Sequence, residues 1–477
     1  MSKGSDKYFE ADSPRRDSND DLESPFIPVF RTKSSRPNRS IWTLCIVLAG
    51  VSLLGVGALL FAKPLRYRNA QDAPVYTGII DSQSYVQGPP TQSFRDNLRN
   101  DTKYITSWVS AGWTNDVMTY GNLIYLALIT GRVPIIAKFI PSHIDGRTAP
   151  FAFGEVFDIP RLSQTIGSPV LEWHEVKDSE SQVLDDLGCW NIWESVQTDV
   201  HDARGSHSLN LLKLDISWTR TPDWVKLTAP EIKDNHASFW SLATLGFPET
   251  RSRYLESTNY PSPEHQVSLL PDDQVLCFDY LYYIGAQNSF EWEMDYSPAW
   301  RFVGQHIHWN ASLERLADEH ARRAMNVPVG EPTPPYISIH VRHGDFHNLC
   351  NELPLDQCFA SLSVIARRVS EVQEELRTQK GIEVTQVIMT SDERDPEWWS
   401  GVRDMGWTWV DYATERTEEV YGKWYPVFLD AVIQSNGAGF VGTHGSTMTT
   451  LARRRVESWH GGPTRVVRWG WPGADDH

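Results

Sequence analysis

Several sequence patterns that signal a nucleotide or metal site are missing from this chain of 477 residues. The Walker pattern GxxxxGK[ST] does not occur, which argues against a P-loop ATPase. No Cys-x-x-Cys or Cys/His pattern suggests a zinc site. A basic excess is also missing: the formal net charge is -17, which argues against nucleic acid as the main partner. No internal repeat is apparent.

Cysteine is scarce, with 5 in the whole chain. Cys45 lies in a long apolar run, and the other four allow three disulfide pairings. Cys350 and Cys358 are close enough in sequence to close a small loop, which leaves Cys189 to pair with Cys277. Disulfides persist in oxidising compartments, so this pattern predicts a secretory or lumenal domain.

The apolar run that holds Cys45 covers residues 41–62 and contains no charged side chain over its 22 positions. At about 1.5 Å per residue, a helix of that length reaches about 33 Å, enough to cross a bilayer. A buried helix rarely lacks a polar face over this length, and a signal peptide would begin nearer the first residue. We therefore predict an uncleaved transmembrane signal anchor, between a disordered cytoplasmic tail (1–40) and a stem (63–100).

The orientation of this anchor follows mainly from where the folded part lies. Basic residues flank the run on both sides, so the positive-inside bias is slight. The segment before it is short and rich in Ser, Asp, Arg and Pro, which is typical of disorder. Asn100 and Asn310 begin glycosylation sequons after the run. These features predict a single-pass type II membrane protein with a lumenal globular region.

The globular region alternates strand-like and helix-like patterns, which favours an α/β fold with parallel sheets. Its first unit places a strand at 104–109, a helix capped by Asn115 or Asp116, and a second strand at 133–137. The intervening loop, 110–115, lies between the carboxyl end of a strand and the start of a helix. Open α/β sheets bind their ligands at such places.

A second set of alternating elements follows the Pro-rich break at 330–335. The expected elements are a strand at 336–341, a helix from about Phe359, a strand ending at Asp392, a helix at about 425–435 and a strand at 437–442. We predict two Rossmann-like halves, 101–330 and 331–477.

The strand YISIHV continues into Arg342 and then a Gly-Asp pair. Because side chains alternate along a strand, His340 and Arg342 share one face, and Arg342 is nearest the carboxyl end. A guanidinium there is costly to bury unless an anion meets it, and its fork suits a diphosphate. The alternative is that Arg342 pairs with Asp345 or another acid to hold a loop. The strand alone does not separate these two interpretations.

A second anion-friendly feature lies in GFVGTHGSTMTTLARRR, where a strand runs into a Gly-containing loop and then a helix. The helix would start at Ser446 and Thr447. Backbone N–H groups and hydroxyls at a helix start can cradle phosphate. The alternative is that Ser446 is an ordinary helix cap. Two such features at the strand ends of one half support each other.

Four stretches, in order along residues 104–460, resemble the motifs of one enzyme family. They are SAGWTNDVMTYGNLIYLALITGRVPII, FAFGEVFDIPRL, ISIHVRHGDF and FLDAVIQSNGAGFVGTHGSTMTTLA. The first resembles a Gly- and Asn-containing loop before a helix, and the second a Phe-x-x-x-Phe-Asp element. The third resembles a His-x-Arg-x-Gly-Asp strand, and the last an Asp on a helix before a strand and a Ser-Ser-type turn. With these the chain resembles the GDP-fucose protein O-fucosyltransferases and, more distantly, the α1,6-fucosyltransferases.

The resemblance implies a GT-B-like fold, in which two Rossmann-like domains face each other across a cleft that holds GDP-fucose. It implies that Arg342 binds the donor β-phosphate and stabilises the departing GDP. His340 and Asp430 would contact guanosine, and Ser446 and Thr447 would hold phosphates. The expected activity is an inverting transfer of fucose to a protein hydroxyl or a glycan, with the Golgi as the expected compartment.

The resemblance also implies that Asn115 lines the cleft between donor and acceptor and that no metal or other cofactor is needed. Asp-x-Asp, the common metal–diphosphate motif of other glycosyltransferases, does not occur in the chain. The catalytic base does not carry over from the family. Asp345 and Asp116 are candidates, although each can instead orient Arg342 or cap a helix. The final turn reads HGSTM where the family has Ser-Ser-Phe, so stacking of the base on a Phe there is not expected.

Two rival interpretations come from other classes. The RHG at 342–344 is similar to histidine phosphatases, and the DFH at 345–347 to Asp-x-His metallophosphoesterases. Against the first class, no His-Asp or His-Glu dipeptide follows. Against the second, no downstream Gly-Asn-His or Gly-His-x-His occurs. A third possibility is a membrane-anchored module that binds GDP without catalysis.

Overall fold

A computed structural model of the protein describes four ranges, 80–197, 200–227, 235–252 and 258–475. The predicted tail, the anchor at 41–62 and the stem as far as residue 79 lie outside the described residues. Within the described ranges, no helix combines the length and the apolar character needed to cross a membrane.

The described residues form two larger sheets and one two-stranded sheet. The strands, in chain order, are β1 Tyr104–Ser107, β2 Val133–Ile136, β3 Leu171–Glu172, β4 Asp185–Asn191, β5 Leu214–Arg220, β6 Ala237–Ser238, β7 Asn259–Tyr260, β8 Val275–Phe278, β9 Ile284–Gly285, β10 Tyr336–Val341, β11 Gln386–Ser391, β12 Gly439–Thr443 and β13 Thr464–Val467.

The α-helices that lie between and around these strands are mostly short. In chain order they are α1 Trp113–Thr130, α2 Phe153–Val156, α3 Ile159–Ile166, α4 Trp173–Val176, α5 Trp193–Val196, α6 His207–Leu212, α7 Phe239–Thr244, α8 Pro248–Arg251, α9 Pro298–Phe302, α10 Ala311–Ala324, α11 Leu355–Cys358, α12 Leu362–Glu375, α13 Pro396–Asp404, α14 Thr417–Tyr421, α15 Tyr425–Asn436 and α16 Thr447–Arg455. A 3₁₀ segment, Asp345–Cys350, follows β10. The first helix predicted for the carboxyl-terminal half, from about Phe359, thus begins at Leu362, after the short α11.

The first sheet has seven strands in the order β3-β2-β1-β8-β4-β5-β7. All of its pairs are parallel except β5 with β7. Strands β1, β2 and β8 are buried at every position, as expected for a parallel sheet that is covered on both faces. The prediction of an α/β fold dominated by parallel sheet is confirmed.

The second sheet has four strands in the order β11-β10-β12-β13, and every pair is parallel. Strand β10 has the predicted bounds, and its alternating side chains divide as the pattern indicates. Ile337, Ile339 and Val341 pack into one apolar cluster with helix α12. On the other face, Ser338 donates to the carbonyl of Gln434 on α15 over 2.9 Å. The carboxyl ends of β10 and β12 therefore meet at one edge.

Helix α1 starts earlier than its sequence indicates. Its N-cap is Gly112, so Asn115 and Asp116 lie in the first turn and the prediction that one of them caps the helix is wrong. The Asp116 carboxylate instead reaches back to accept from the backbone N–H of Ala111 over 3.1 Å. Trp113, the first residue of the helix, is buried, so tertiary packing helps to set where the helix starts.

Both predicted disulfides are present. Cys189 in β4 pairs with Cys277 in β8, and Cys350 pairs with Cys358. The first joins two strands of the seven-stranded sheet, and the second closes a loop directly after the 3₁₀ segment. Two disulfides fit a secretory or lumenal protein.

The two sheets share a continuous apolar core. One cluster of buried side chains includes Val117 and Leu123 of α1 together with Phe428 and Val432 of α15 and Leu451 of α16. Helix α10 also packs against α15. The carboxyl-terminal edge of the second sheet thus faces the start of α1 from the first half.

Candidate active site

The candidate site lies where β10 and β12 end side by side. His340 is opposite Gly442 in the register of these two parallel strands. One step further on, the backbone N–H of Arg342 donates to the hydroxyl of Thr443 over 3.0 Å. This bond fixes the first residue after β10 against the last residue of β12. Arg342 is therefore held beside the turn that leads into α16.

The guanidinium of Arg342 is bound by two carboxylates. Its Nη2 lies 2.7 Å from Asp345 and its Nη1 lies 2.6 Å from Asp392. Asp392 itself is fixed, since it accepts from the backbone N–H of His343 over 2.8 Å. A Cβ at Gly344 would lie 2.1 Å from an Asp392 oxygen. Only glycine therefore lets Asp392 approach this closely.

The alternative considered from the sequence was that Arg342 pairs with Asp345 or another acid to hold a loop, and these two ion pairs are such contacts. The side chain also stays at the edge of the sheet, where 27% of it is exposed. Asp345 is more open, with 50% of its side chain exposed. Each pair uses one terminal nitrogen, and Arg carries five N–H donors, so the guanidinium keeps donors for an incoming anion.

The start of α16 contacts the other half directly. The hydroxyl of Thr447 donates to the Asn115 side-chain oxygen over 2.7 Å and lies 2.7 Å from the hydroxyl of Thr114. Ser446 occupies the N-cap position, but its side chain makes no capping hydrogen bond. The alternative that Ser446 is an ordinary cap is therefore not realised. Gly445 before it has φ +82°, a conformation that favours glycine.

His340 and Asp430, the two residues expected at guanosine, are placed differently. The Nδ1 of His340 lies 2.9 Å from the Thr449 hydroxyl on α16, and burial lowers the pKa of His340 to about 4. Asp430 accepts from the Tyr412 hydroxyl over 2.6 Å, and burial raises its pKa to about 7. His340 is neutral at pH 7, whereas Asp430 is near its titration midpoint.

Arg342 contacts Thr443 just before the turn into α16, and Thr447 at the start of α16 contacts Asn115, so these residues lie along one edge. Asp345 is attached to this edge by its ion pair with Arg342. His340 joins them through α16. Asp430 lies one helix away, where it accepts the hydrogen bond from Tyr412. The sequence did not identify Thr114, Asp392 and Thr443 as site residues. Asp392 and Thr443 each stand at the carboxyl end of a predicted strand, which was a usable signal.

Other acidic groups have evident structural contacts. Asp116 is buried, and this raises its pKa well above the ordinary value. Among the described residues, the one group of three with ligand atoms close enough for a metal ion is Asp186, Asp215 and His265. Both aspartates are near the starts of β4 and β5, at the amino edge of the first sheet. This group therefore lies at the amino ends of its strands and not at their carboxyl ends.

No protein-family model and no curated protein matches the chain. Among solved structures, it is similar to POFUT1 in complex with GDP-fucose, at 13% identity over 77% of this chain and 98% of that chain, with a TM-score of 0.46. Its structural neighbours are fucosyltransferases. NodZ α-1,6-fucosyltransferase soaked with GDP-fucose is another, at 13% identity over 75% of this chain and 93% of that chain, TM-score 0.35. The chain is also similar to the fucosyltransferase NodZ from Bradyrhizobium, at 12% identity over 74% of this chain and 92% of that chain, with a TM-score of 0.33.

Proposed function

We propose that the protein is a glycosyltransferase that transfers fucose from GDP-fucose, with inversion, to a hydroxyl of a protein or glycan. The donor diphosphate would lie between Arg342 and the start of α16. One observation carries this proposal: the bond from the backbone N–H of Arg342 to Thr443 holds this residue beside the turn that leads into α16, and Thr447 contacts Asn115 of the other half. Two anion-binding elements and a residue of the opposite half therefore converge.

The ion pairs of Arg342 are compatible with this role. An exposed ion pair contributes about 0.2–1 kcal/mol, and the Asp345 pair is the more exposed of the two. A diphosphate offers the guanidinium stronger, two-bonded contacts. In the proposed mechanism the diphosphate displaces Asp345, while Asp392 keeps the guanidinium oriented.

The remaining elements of the proposal follow from the same site. The charge that develops on departing GDP would be stabilised by Arg342, without a metal. The halves would form a GT-B-like pair around the donor, as the motifs imply. A type II anchor at 41–62 and a Golgi location complete the proposal, and their support is the apolar run and the two disulfides.

The phosphatase alternatives fit the local contacts less well. A phosphoryl nucleophile has to be accessible, whereas the Nδ1 of His343 lies 2.6 Å from Glu393 and its ring stacks on Phe359 at 4.2 Å. Asp345 is paired with Arg342. A module that binds GDP without catalysis would use the same binding contacts. Release of GDP from GDP-fucose distinguishes the enzyme from such a module.

A thermal-shift screen of the purified full-length chain against GDP, UDP, CMP and their sugars tests the donor class. Selective stabilisation by GDP and GDP-fucose is expected, because a ligand that binds the folded state raises the melting temperature by mass action. Stabilisation without release of GDP from GDP-fucose would identify the inactive module. Release of phosphate from a generic ester would favour the phosphatase.

Replacing Arg342 tests its place in the mechanism. We expect Arg342→Ala to lower GDP release from GDP-fucose by about 10²–10³-fold, because one charge-stabilising group is lost. Arg342→Lys should recover little of this rate, since an ammonium lacks the fork that grips two oxygens. Circular dichroism and the melting temperature check that both variants fold. Full activity in the Ala variant would remove Arg342 from the mechanism.

A further inference from the structure

An imidazole of the first half is held over the start of α1. His143 lies in the loop that follows β2, and its ring is packed against Gly112, the N-cap of that helix. A Cβ at Gly112 would be 2.9 Å from His143 Cδ2 and 3.0 Å from its Nε2. The neighbouring Ser142 hydroxyl donates to the carbonyl of Ala111 over 2.6 Å. This bond fixes the loop at Ala111, four residues before Asn115.

The same loop extends across to the second half. The Nζ of Lys423 lies 2.6 Å from Asp145, and the indole N–H of Trp424 donates to the carbonyl of Ala149 over 2.9 Å. One end of the loop is thus held to α1 and the other to the segment before α15. His143 lies between these two attachments, where one side of its ring is covered by Gly112 and the residue stays accessible to solvent.

Two charged groups of the other half act on His143. Arg342 opposes its protonation, and Asp345 favours it. Loss of water around the ring, followed by the Arg342 charge, lowers the pKa of His143 below its ordinary value of 6.5. The imidazole is therefore neutral and able to accept a proton at pH 7. The positive charge that acts on the His143 ring is therefore that of Arg342, the residue proposed to bind the donor diphosphate.

We propose that His143 is the general base that accepts the proton of the attacking hydroxyl. This inference rests on the proposed function. In the step, the acceptor O–H proton moves to the imidazole and the acceptor oxygen forms a bond to the anomeric carbon of fucose. The bond from that carbon to the β-phosphate oxygen breaks, and its electron pair leaves with GDP. Arg342 takes up the charge on GDP, and the protonated imidazole returns its proton to water.

The two carboxylates considered from the sequence are less suited to this task. Asp116 is buried and accepts a backbone hydrogen bond within the first turn of α1. Asp345 is paired with Arg342. His143 belongs to the first half, whereas Arg342, which is proposed to hold the leaving group, belongs to the second. An inverting displacement needs the base and the leaving group on opposite sides of the reacting carbon.

The test uses water as the acceptor, so that no glycan or protein acceptor has to be known. We expect GDP release from GDP-fucose by the full-length enzyme to rise with pH through an apparent pKa below 6.5, as His143 loses its proton. His143→Gln should lower the plateau rate by about 10²-fold or more and remove this pH dependence. Its affinity for GDP, measured by calorimetry, should stay unchanged.

Two controls separate a base from a structural residue. His174→Gln, an exposed histidine on α4, should retain the rate and the pH dependence. Ser142→Ala, which loosens the loop, should lower the rate but keep the pH dependence. If His143→Gln keeps the rate and pH profile of the wild type, the inference is overturned. If the wild type binds GDP but releases none from GDP-fucose, both the transferase proposal and this inference fail, whereas lack of GDP binding rejects the proposed donor site itself.

Discussion

At the scale of single residues, the site centres on the Arg342 guanidinium and its two carboxylate partners, Asp345 and Asp392. Asp392 is held in place by the backbone of His343 and by the close approach that Gly344 allows, whereas Asp345 lies on the exposed 3₁₀ segment. The two carboxylates therefore differ in how readily they can leave the guanidinium. Asp392 acts as the orienting partner and Asp345 as the replaceable one.

This difference predicts opposite effects of two conservative substitutions on GDP affinity. Asp345→Asn should tighten GDP binding by about two- to fivefold, because it removes a competing pair worth about 0.4–1 kcal/mol. Asp392→Asn should weaken GDP binding, since the guanidinium loses its fixed partner. Calorimetric titration with GDP measures both. Equal weakening in the two variants would mean that Asp345 belongs to the binding framework and is not displaced.

The positions of His340 and Arg342 could be predicted from the sequence, because strand alternation alone places them on one face at the end of β10. The residues that contact Arg342 could not be predicted in this way. Asp392 lies 50 positions after Arg342 in the chain, and only the parallel pairing of β10 with β11 brings the two together. The same holds for Thr443, which depends on β12 lying on the other side of β10.

At the scale of elements, the start of α16 is the second part of the site. A helix start offers backbone N–H groups that have no partner within the helix, and this one has Ser446 at its N-cap without a capping bond. Thr447 joins it to α1. The turn before it contains Gly445 in a left-handed conformation, which lets the chain pass from β12 into the helix within a few residues.

The double substitution Ser446→Ala with Thr447→Ala should weaken GDP binding by about tenfold or more. It removes a hydroxyl donor to phosphate at Ser446 and the hydroxyl bond by which Thr447 fixes the helix start to Asn115, at about 0.5–1.5 kcal/mol each. Calorimetry with GDP measures the effect. Thr450→Ala is the matched control: its hydroxyl lies one turn further along α16 and donates to Glu293 over 3.1 Å. Unchanged affinity in the double variant would reject the phosphate cradle.

The element boundaries show where pattern reasoning succeeded and where it stopped. The predicted bounds of β10 are those observed, because a buried run between a Pro-rich break and a Gly-Asp pair leaves little choice. The start of α1 was misplaced by several residues, since the polar residues Asn115 and Asp116 look like caps. Their side chains instead bond to Thr447 and to Ala111, contacts that a local pattern does not contain.

At the scale of the whole molecule, a buried arginine lies between the two halves. Arg455 of α16 stacks over Trp309 at 4.2 Å, with Trp459 at 5.5 Å and Phe157 at 5.8 Å. Among the described residues, no carboxylate forms an ion pair with it. Burial lowers its pKa to about 9, so it is still charged at pH 7. Its attraction to the aromatic rings and its volume hold this contact together.

Two substitutions of Arg455 should separate volume from charge. Arg455→Ala should lower the free energy of unfolding by about 2–5 kcal/mol, because it leaves a cavity among the rings. Arg455→Met keeps most of the volume and removes the cost of a buried charge without a counterion, so it should change stability by only about 1 kcal/mol. Urea unfolding followed by tryptophan fluorescence measures both. Equal losses would show that the cation itself is essential to the contact.

The order of strands in the first sheet has a consequence for how the chain can be divided. Strand β8, near the end of the first half in sequence, lies in the middle of the sheet between β1 and β4. A chain that stops before residue 275 would leave β1 and β4 with open, apolar edges, ready to pair with strands of other molecules. During synthesis, roughly two hundred residues of this half therefore have to leave the ribosome before β8 can pair with β1 and β4. Any fragment made for expression must extend past β8 to remain in solution.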